Sequence, residues 1–459
     1  MQAQSVPAGA AQTLLRCVLL GVLYTAASGV LLALALPPYD VPLLGFVALA
    51  PLLVAAFRAP RYASILYALI AAIGAGMVLT ALPFTARSLF DWTALMPFAM
   101  FGAFLSLTLV IARRLGAASG WTTILGIGAT GVLSEWLAAR LDFPYTVALT
   151  LWRAAPLLWL AGWVGVWGLA FLVWAVNTAI AVAWAQRRIT TPLKLLAGAL
   201  LGLHALGWLQ MNLPRERETL RVAVVQPYGT GSYPVLIAQA KAQGAQLVVL
   251  PEVCCDPTKA RWWAQAQQVA LIFGHWTARN SASLALPDGT LSEPYYKMHP
   301  YGGEPLSWTP GDPIRAFESS FGTLGAVICY DTMFTEPCRR QALNGARLIA
   351  VPTNDPVAPN MALHHLHAAT TTLRAAEHRV PVARSEYSAA SMIVDEWGRV
   401  LAYAREGELL AIADVPLGSG RGTLASHVGD WFVVGYVLLL LGVGHLRLRG
   451  IGWYYVPQR

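Results

Sequence analysis

Charged residues are scarce in this chain. They make up 12% of its 459 residues, against 56% hydrophobic ones, where a typical soluble domain carries roughly 25% charged residues. That scarcity excludes an ordinary soluble protein and points to a membrane class. Cysteine is sparse too. Cys17, Cys254, Cys255, Cys329 and Cys338 show neither paired spacing nor a CxxC zinc pattern, and their odd number leaves at least one free thiol. The net charge of +8 does not form a basic stripe interleaved with aromatics, which argues against nucleic-acid binding. No internal repeat, low-complexity tract or cleavable signal segment stands out.

The apolar residues are unevenly spread. Runs at 14–36, 41–57, 63–82, 94–111, 121–137, within 156–184, within 193–209 and at 431–446 predict about eight spans. Most approach the roughly 20 residues needed to cross a bilayer, while the second, seventh and eighth are short. Basic residues favour alternate loops: Arg16, then Arg58 and Arg61, Arg113 and Arg114, Arg187, Arg188 and Lys194, and finally Arg447 and Arg449. The other short loops hold only Arg87, Arg140 and Arg153. By the positive-inside rule both termini are expected in the cytoplasm, with the large domain after the seventh span outside it. The expected organisation is a seven-span bundle over 1–212, a mixed-composition domain over 213–428, and a last span and tail over 429–459.

Within that domain, β-branched and apolar runs at 220–226, 247–250, 271–273, 281–286, 324–328, 348–351, 382–384 and 392–394 read as short strands. Helical patterns lie between several of them, notably at 237–243 and 364–378. This mixture predicts an α/β layered fold. One stretch draws the rest together. Residues 325–331 read as a buried strand ending on Cys329, and a thiol at the carboxyl end of a strand can face a site. Glu252 follows the apolar run 247–250, and Lys297 follows Tyr295-Tyr296. A carboxylate, an ammonium and a thiol, each at an apparent strand end, are the parts of covalent acyl chemistry.

The order Val225-Gln226, Leu250-Pro251-Glu252, Asn280-Ser281, Tyr296-Lys297, Ile328-Cys329-Tyr330 resembles the nitrilase, or carbon–nitrogen hydrolase, superfamily. Outside the domain, Pro37-Pro38-Tyr39, Ala50-Pro51-Leu52, Phe143-Pro144-Tyr145, Gly165-Val166-Trp167-Gly168, Val176-Asn177 and Gly429-Asp430-Trp431 are similar to the apolipoprotein N-acyltransferase family. The resemblance runs over nearly the whole chain. It implies an α-helical membrane bundle of about eight spans carrying an αββα sandwich, in a bacterial inner membrane with the sandwich on the periplasmic side. It implies Cys329 as nucleophile, Glu252 as general base and Lys297 as oxyanion stabiliser. Glu304 would be a supporting carboxylate, and Tyr330 and Asp331 would line the site. The implied reaction moves an acyl chain from a phospholipid to Cys329, then to the α-amine of a diacylglyceryl-cysteine on an apolipoprotein. No cofactor and no metal is implied.

Several positions depart from the family. Glu304 reaches Pro310-Gly311-Asp312 after an unusually short segment, and Gln226 is followed by Pro227-Tyr228-Gly229 with no tryptophan. Cys329-Tyr330-Asp331 stands where Cys-Tyr-Glu is usual, Asn354-Asp355 is followed by Pro356-Val357-Ala358, and Arg384-Ser385-Glu386-Tyr387 lacks the family's asparagine. Two alternatives therefore stand beside the main reading. One is a membrane-tethered amidase or acyltransferase with another acceptor, such as a conjugal-transfer-associated paralogue; the other is a non-enzymatic envelope component. His364-His365-Leu366-His367 has no evident ligand partners nearby in sequence. Cys254 and Cys255 read as packing residues, adjacent cysteines being poorly placed to bridge; one of them pairing with Cys338 stays open.

Overall fold

The computed structural model describes residues 8–60, 63–81, 92–117, 120–227, 232–309, 312–355 and 361–448. Arg61, Arg87, Arg449, Tyr228, Gly229, Pro310, Gly311 and Pro356-Val357-Ala358, all singled out above, lie outside them, as do the side chains of Arg16, Cys17 and Arg447. The chain divides into two units, one of residues 1–150, 170–202 and 430–459, the other of 151–169 and 203–429.

The first unit is helical. Among the described residues of the chain, five stretches are long and apolar enough to cross a membrane: Val18–Ala35, Phe98–Leu115, Ala161–Gln186, Thr191–Asn212 and Leu424–Leu446. The expected second span is not one helix. It is a 3₁₀ turn, Pro42–Phe46, followed by a short helix, Ala50–Arg58. A helix start in apolar surroundings leaves amides that only protein groups can satisfy. Asn177 does this: its Oδ1 accepts from Leu49 N at 2.8 Å and Ala50 N at 3.1 Å, while its Nδ2 donates to Gly45 O at 2.8 Å. Ser28 Oγ accepts from Leu52 N at 2.9 Å. Gly29 lets its helix approach the next; a Cβ there would lie 2.7 Å from the Ala71 carbonyl, the close packing that small residues allow in lipid.

The second unit holds two six-stranded sheets. Their strands are β1 (Thr219–Val225), β2 (Leu247–Val249), β3 (Ala270–Trp276), β4 (Asn280–Ala285), β5 (Tyr295–Tyr296), β6 (Ala316–Phe317), β7 (Leu324–Ala326), β8 (Leu348–Thr353), β9 (Val382–Glu386), β10 (Ser391–Val394), β11 (Val400–Ala404) and β12 (Leu410–Pro416). The orders are β12-β1-β2-β3-β4-β5 and β11-β10-β9-β8-β7-β6. Each sheet has a parallel core, β1-β2-β3 and β7-β8-β9, with antiparallel strands added outside. The cores are almost wholly buried, as parallel strands covered on both faces require.

The helices Tyr233–Ala242 and Pro257–Gln267 close a core over one sheet. Thr335–Leu343 and Met361–His378 pack on the other. The sheets face each other: Ser385 Oγ donates to Val225 O at 2.7 Å, and Ser391 N to Gln226 Oε1 at 3.1 Å. The layers are thus helix, sheet, sheet, helix. In the part of the apolar helix Ala161–Gln186 that belongs to this unit, the helix breaks at Gly165, whose φ of 67° suits glycine. Buried Glu377 caps the restart, accepting from Val166 N at 2.8 Å.

Candidate active site

The carboxyl ends of β2, β7 and β8 and the start of β4 meet at one place. Glu252 follows β2, and its backbone spans both sheets: Leu250 N donates to Ile272 O at 2.8 Å and Glu252 N to Thr353 O at 3.3 Å. Its Oε1 accepts from Asn280 Nδ2 at 2.7 Å and Lys297 Nζ at 3.0 Å, and its Oε2 from Asn354 N at 3.1 Å. Lys297 follows β5 and is 1% exposed. Its ammonium also donates to Glu304 Oε2 at 2.7 Å. The short segment after Glu304 is stitched against the sheet: Trp308 N donates to Lys297 O at 3.0 Å, Asn280 N to Ser307 Oγ at 3.0 Å, and Arg279 pairs with Asp312 at 2.6 Å.

Cys329 does not sit in a strand. β7 ends at Ala326, and Cys329 opens a 3₁₀ turn, Cys329–Met333, at φ 46°. Such a left-handed φ is uncommon for a side chain other than glycine, and it is a conformation often kept at functional sites. The thiol lies 3.6 Å from Asp355 Oδ1. Its burial, then the Glu252 carboxylate, push the thiol pKa well above its ordinary value, against the pull of Lys297. A thiol in such surroundings needs a base in contact to react. Burial opposes the charge on Lys297, but Cys329, Glu252 and Glu304 outweigh it and hold the ammonium well above its usual range.

Asp331 does not line this site. It is fully buried behind it, where its carboxyl accepts from Ile328 N at 3.0 Å, His299 N at 2.8 Å, Met298 N at 3.1 Å and the Tyr295 hydroxyl at 2.8 Å. Burial pushes its pKa up to about 6. These bonds bracket Lys297 on both sides, so Asp331 ties the lysine segment to the cysteine turn. Tyr330 is half-buried in an aromatic group with Tyr301 and Phe334. Tyr301, whose hydroxyl pKa is raised by burial and then by Asp355 and Cys329, was not foreseen.

Four further residues were quoted in the sequence but not read as site groups. Asn280 holds Glu252. Asp355, His367 and Arg384 form a cluster behind the thiol. Arg384 Nη2 donates to Asp355 Oδ2 at 2.7 Å, and His367 Nδ1 lies 2.8 Å from Asp355 Oδ1. His367 Nε2 is 3.0 Å from the Cys329 carbonyl. Donor atoms of Cys329, Asp355 and His367 lie within 4.8 Å of one another, as do those of Asp355, His364 and Glu386. The Arg384 guanidinium already supplies a cation to the Asp355 carboxylate, pairing with Oδ2 at 2.7 Å. Cys254 and Cys255 pack outside the first sheet with sulfurs 3.2 Å apart, Cys338 is buried on the helix Thr335–Leu343, and all three are free thiols.

Gly274 in β3 permits the close approach of the Glu252 backbone. A Cβ there would lie 2.5 Å from Glu252 Cα and 2.9 Å from Val253 N. Gly274→Ala should therefore leave a folded protein whose turnover falls by about 100-fold, the scale of an ångström-level misplacement. Steady-state rates beside a thermal melt check this; an unchanged rate would mean that Glu252 needs no such placement.

The arrangement gathers a thiol, an ammonium and carboxylates at converging strand ends, the parts of covalent acyl chemistry. A family model described as carbon-nitrogen hydrolase matches residues 264–423, a stretch that includes Lys297, Glu304 and Cys329 and starts just after Glu252. A model described as the apolipoprotein N-acyltransferase N-terminal domain matches residues 28–179. An apolipoprotein N-acyltransferase of Gloeobacter violaceus is 29% identical, the match covering 92% of this chain and 93% of that one. One of Geobacter metallireducens is 26% identical, with 88% and 91% covered. A nitrilase of Pyrococcus abyssi is 31% identical over 43% of this chain and 87% of its own length. With an apolar helical unit matching one model and a two-sheet sandwich matching the other, the chain belongs to the apolipoprotein N-acyltransferase family, within the carbon–nitrogen hydrolase, or nitrilase, superfamily.

Proposed function

We propose that the protein is an acyltransferase of lipoprotein maturation in a bacterial inner membrane, with its sandwich on the outer side and both termini in the cytoplasm. The observation that carries this is the buried set of Cys329, Glu252 and Lys297 at converging strand ends, in a chain that also holds long apolar helices. Glu252 takes the thiol proton, and Cys329 Sγ attacks an ester carbonyl of a phospholipid. Lys297 stabilises the oxyanion that forms. The C–O bond breaks, Glu252 returns the proton to the leaving alkoxide, and a lysophospholipid departs. The thioester then acylates the α-amine of an apolipoprotein's diacylglyceryl-cysteine. A thioester suits that step because it reacts with amines more readily than the starting ester.

The test is direct. Protein incubated in phospholipid vesicles without acceptor should gain the mass of one acyl group on a peptide containing Cys329, released by hydroxylamine. In a bacterium depleted of its own N-acyltransferase, the chain should restore acylated lipoprotein N-termini. The tight segment from Glu304 to Asp312 favours, as a second reading, a different amine acceptor. A Cys329 thioester together with free lipoprotein α-amines throughout would establish that second reading and end the first.

A further inference from the structure

One carboxylate beside the thiol has no task in the mechanism above. Glu252 is engaged by three donors, Asn280, Lys297 and Asn354 N. Glu304 accepts from Lys297 and from Tyr301 N. Asp355 differs. Its Oδ2 is held by Arg384, itself fully buried, and His367 steadies both oxygens. Its backbone N donates to Glu386 Oε1 at 3.2 Å. Oδ1 faces Cys329 Sγ at 3.6 Å, and the side chain keeps 11% exposure. Burial raises the Asp355 pKa, but His367 and Arg384 outweigh it and hold the carboxyl well below its usual range. Here, then, is a fixed anion beside the nucleophile whose remaining partner is the thiol's own proton.

That proton is lost when Cys329 is acylated. The S–H becomes S–C, and Asp355 Oδ1 then faces a thioester sulfur that has nothing to donate. The group best suited to replace the missing donor is a cation bearing N–H bonds, since charge-assisted hydrogen bonds are the strong ones. We propose that Asp355 is the acceptor subsite of the second half-reaction, binding an aliphatic primary ammonium against acylated Cys329. The inference rests on the acyl-transfer reading above and adds the group that recognises the ammonium and orients its nitrogen toward the thioester.

The steps balance. The ammonium, oriented by Asp355 Oδ1, gives one proton to water. The nitrogen lone pair forms the C–N bond, the C–S bond breaks with its electron pair going to Sγ, and a second nitrogen proton restores the thiol. Thioester and ammonium become amide, thiol and one released proton. The same geometry explains how the site can serve an ester first and an amine second, with a carboxylate for each.

The experiment uses the full-length protein in phospholipid vesicles and the D355N variant. Two nucleophiles are supplied: a synthetic S-diacylglyceryl-cysteine lipopeptide, an ammonium near neutral pH, and hydroxylamine, which is uncharged there. The variant and the unaltered protein are compared per molecule of Cys329 thioester, with the variant's release to hydroxylamine as the reference. The variant's transfer to the lipopeptide should fall by roughly 100-fold, and D355E should recover part of that loss. Normal lipopeptide transfer by D355N would overturn the inference. So would parallel loss toward both nucleophiles, or loss of the thioester itself, because Asp355 would then only shape the cysteine turn. Absence of a thioester in the unaltered protein would instead overturn the acyl-transfer reading on which the inference stands.

Discussion

Cys329→Ser should reduce acyl transfer by roughly 10⁴-fold or more while leaving the fold intact. A serine hydroxyl is a far weaker acid than a thiol, and a carboxylate such as Glu252 is too weak a base to ionise it. The loss of a nucleophile is also the kind of change that other site residues do not compensate. The backbone of the turn should survive. The Cys329 carbonyl keeps its bonds from the Thr332 hydroxyl at 3.0 Å and its contact with His367 at 3.0 Å. Lipopeptide acylation measured by mass spectrometry, beside a thermal melt, checks both halves of the expectation. An unaltered melt with full activity would mean that the thiol is not the nucleophile. Unaltered lipoprotein N-termini in a cell that depends on this chain would favour the non-enzymatic envelope component instead.

How far the sequence could carry this depends on the kind of signal involved. Eight of the twelve described strands were legible, several of them because fully buried parallel strands are nearly continuous apolar runs; β11, five residues long and mostly only part-buried, was not. β5 and β6, two residues each, are too short to show any period. β12 ends its sheet with Asp414 exposed and is preceded by Arg405, Glu406 and Glu408, so charge masks its alternation. Glu252 and Cys329 could be singled out as candidates because each follows an apolar run, and Lys297 because of its place in the motif order. Cys329 was expected as the last residue of a strand, whereas it opens a turn, since a positive φ at a residue other than glycine leaves no mark in composition. Asp331 was misplaced for a related reason. Two positions beyond the nucleophile, it could face the site or the core, and the turn sends it inward to amides 32 and 33 residues earlier.

Long-range polar contacts account for the other differences. The expected second span looked continuous in hydropathy. What interrupts it is a pair of side chains, Ser28 and Asn177, of which Asn177 lies 128 residues from its partner Leu49. Likewise His367 and Arg384 lie 12 and 29 residues from Asp355, and a run of histidines invites a metal reading until the third dimension supplies an arginine. Motif order locates a nucleophile because chemistry tolerates few residue types there. The groups that tune it are chosen by geometry, and several sequences can satisfy the same geometry.

Lys297→Met is the variant in which stability and catalysis should fall together for separable reasons. Methionine keeps the length and apolar bulk of the stem and deletes the ammonium. Glu252, 5% exposed, and Glu304 would then share a buried site with no cation. Breaking a buried ion pair from one side costs about 3–5 kcal/mol, a large part of a total stability of roughly 5–15 kcal/mol. In the unaltered protein the Lys297 pKa lies above its unfolded value. Its contribution is thus fully present below the ordinary lysine range and is lost only as pH climbs through that raised value. Across neutral pH, then, the unaltered protein should show no stability change from this group. The variant should gain stability on acidification, as a proton replaces the missing ammonium between the carboxylates. Catalysis should drop by a further roughly 10²–10³-fold, the scale of a lost oxyanion donor. Measuring turnover per folded molecule, with unfolding followed in parallel from pH 5 to pH 8, separates the two. If the rate per folded molecule is unchanged, Lys297 serves only to neutralise Glu252 and Glu304, and the oxyanion must be stabilised by backbone amides of the cysteine turn.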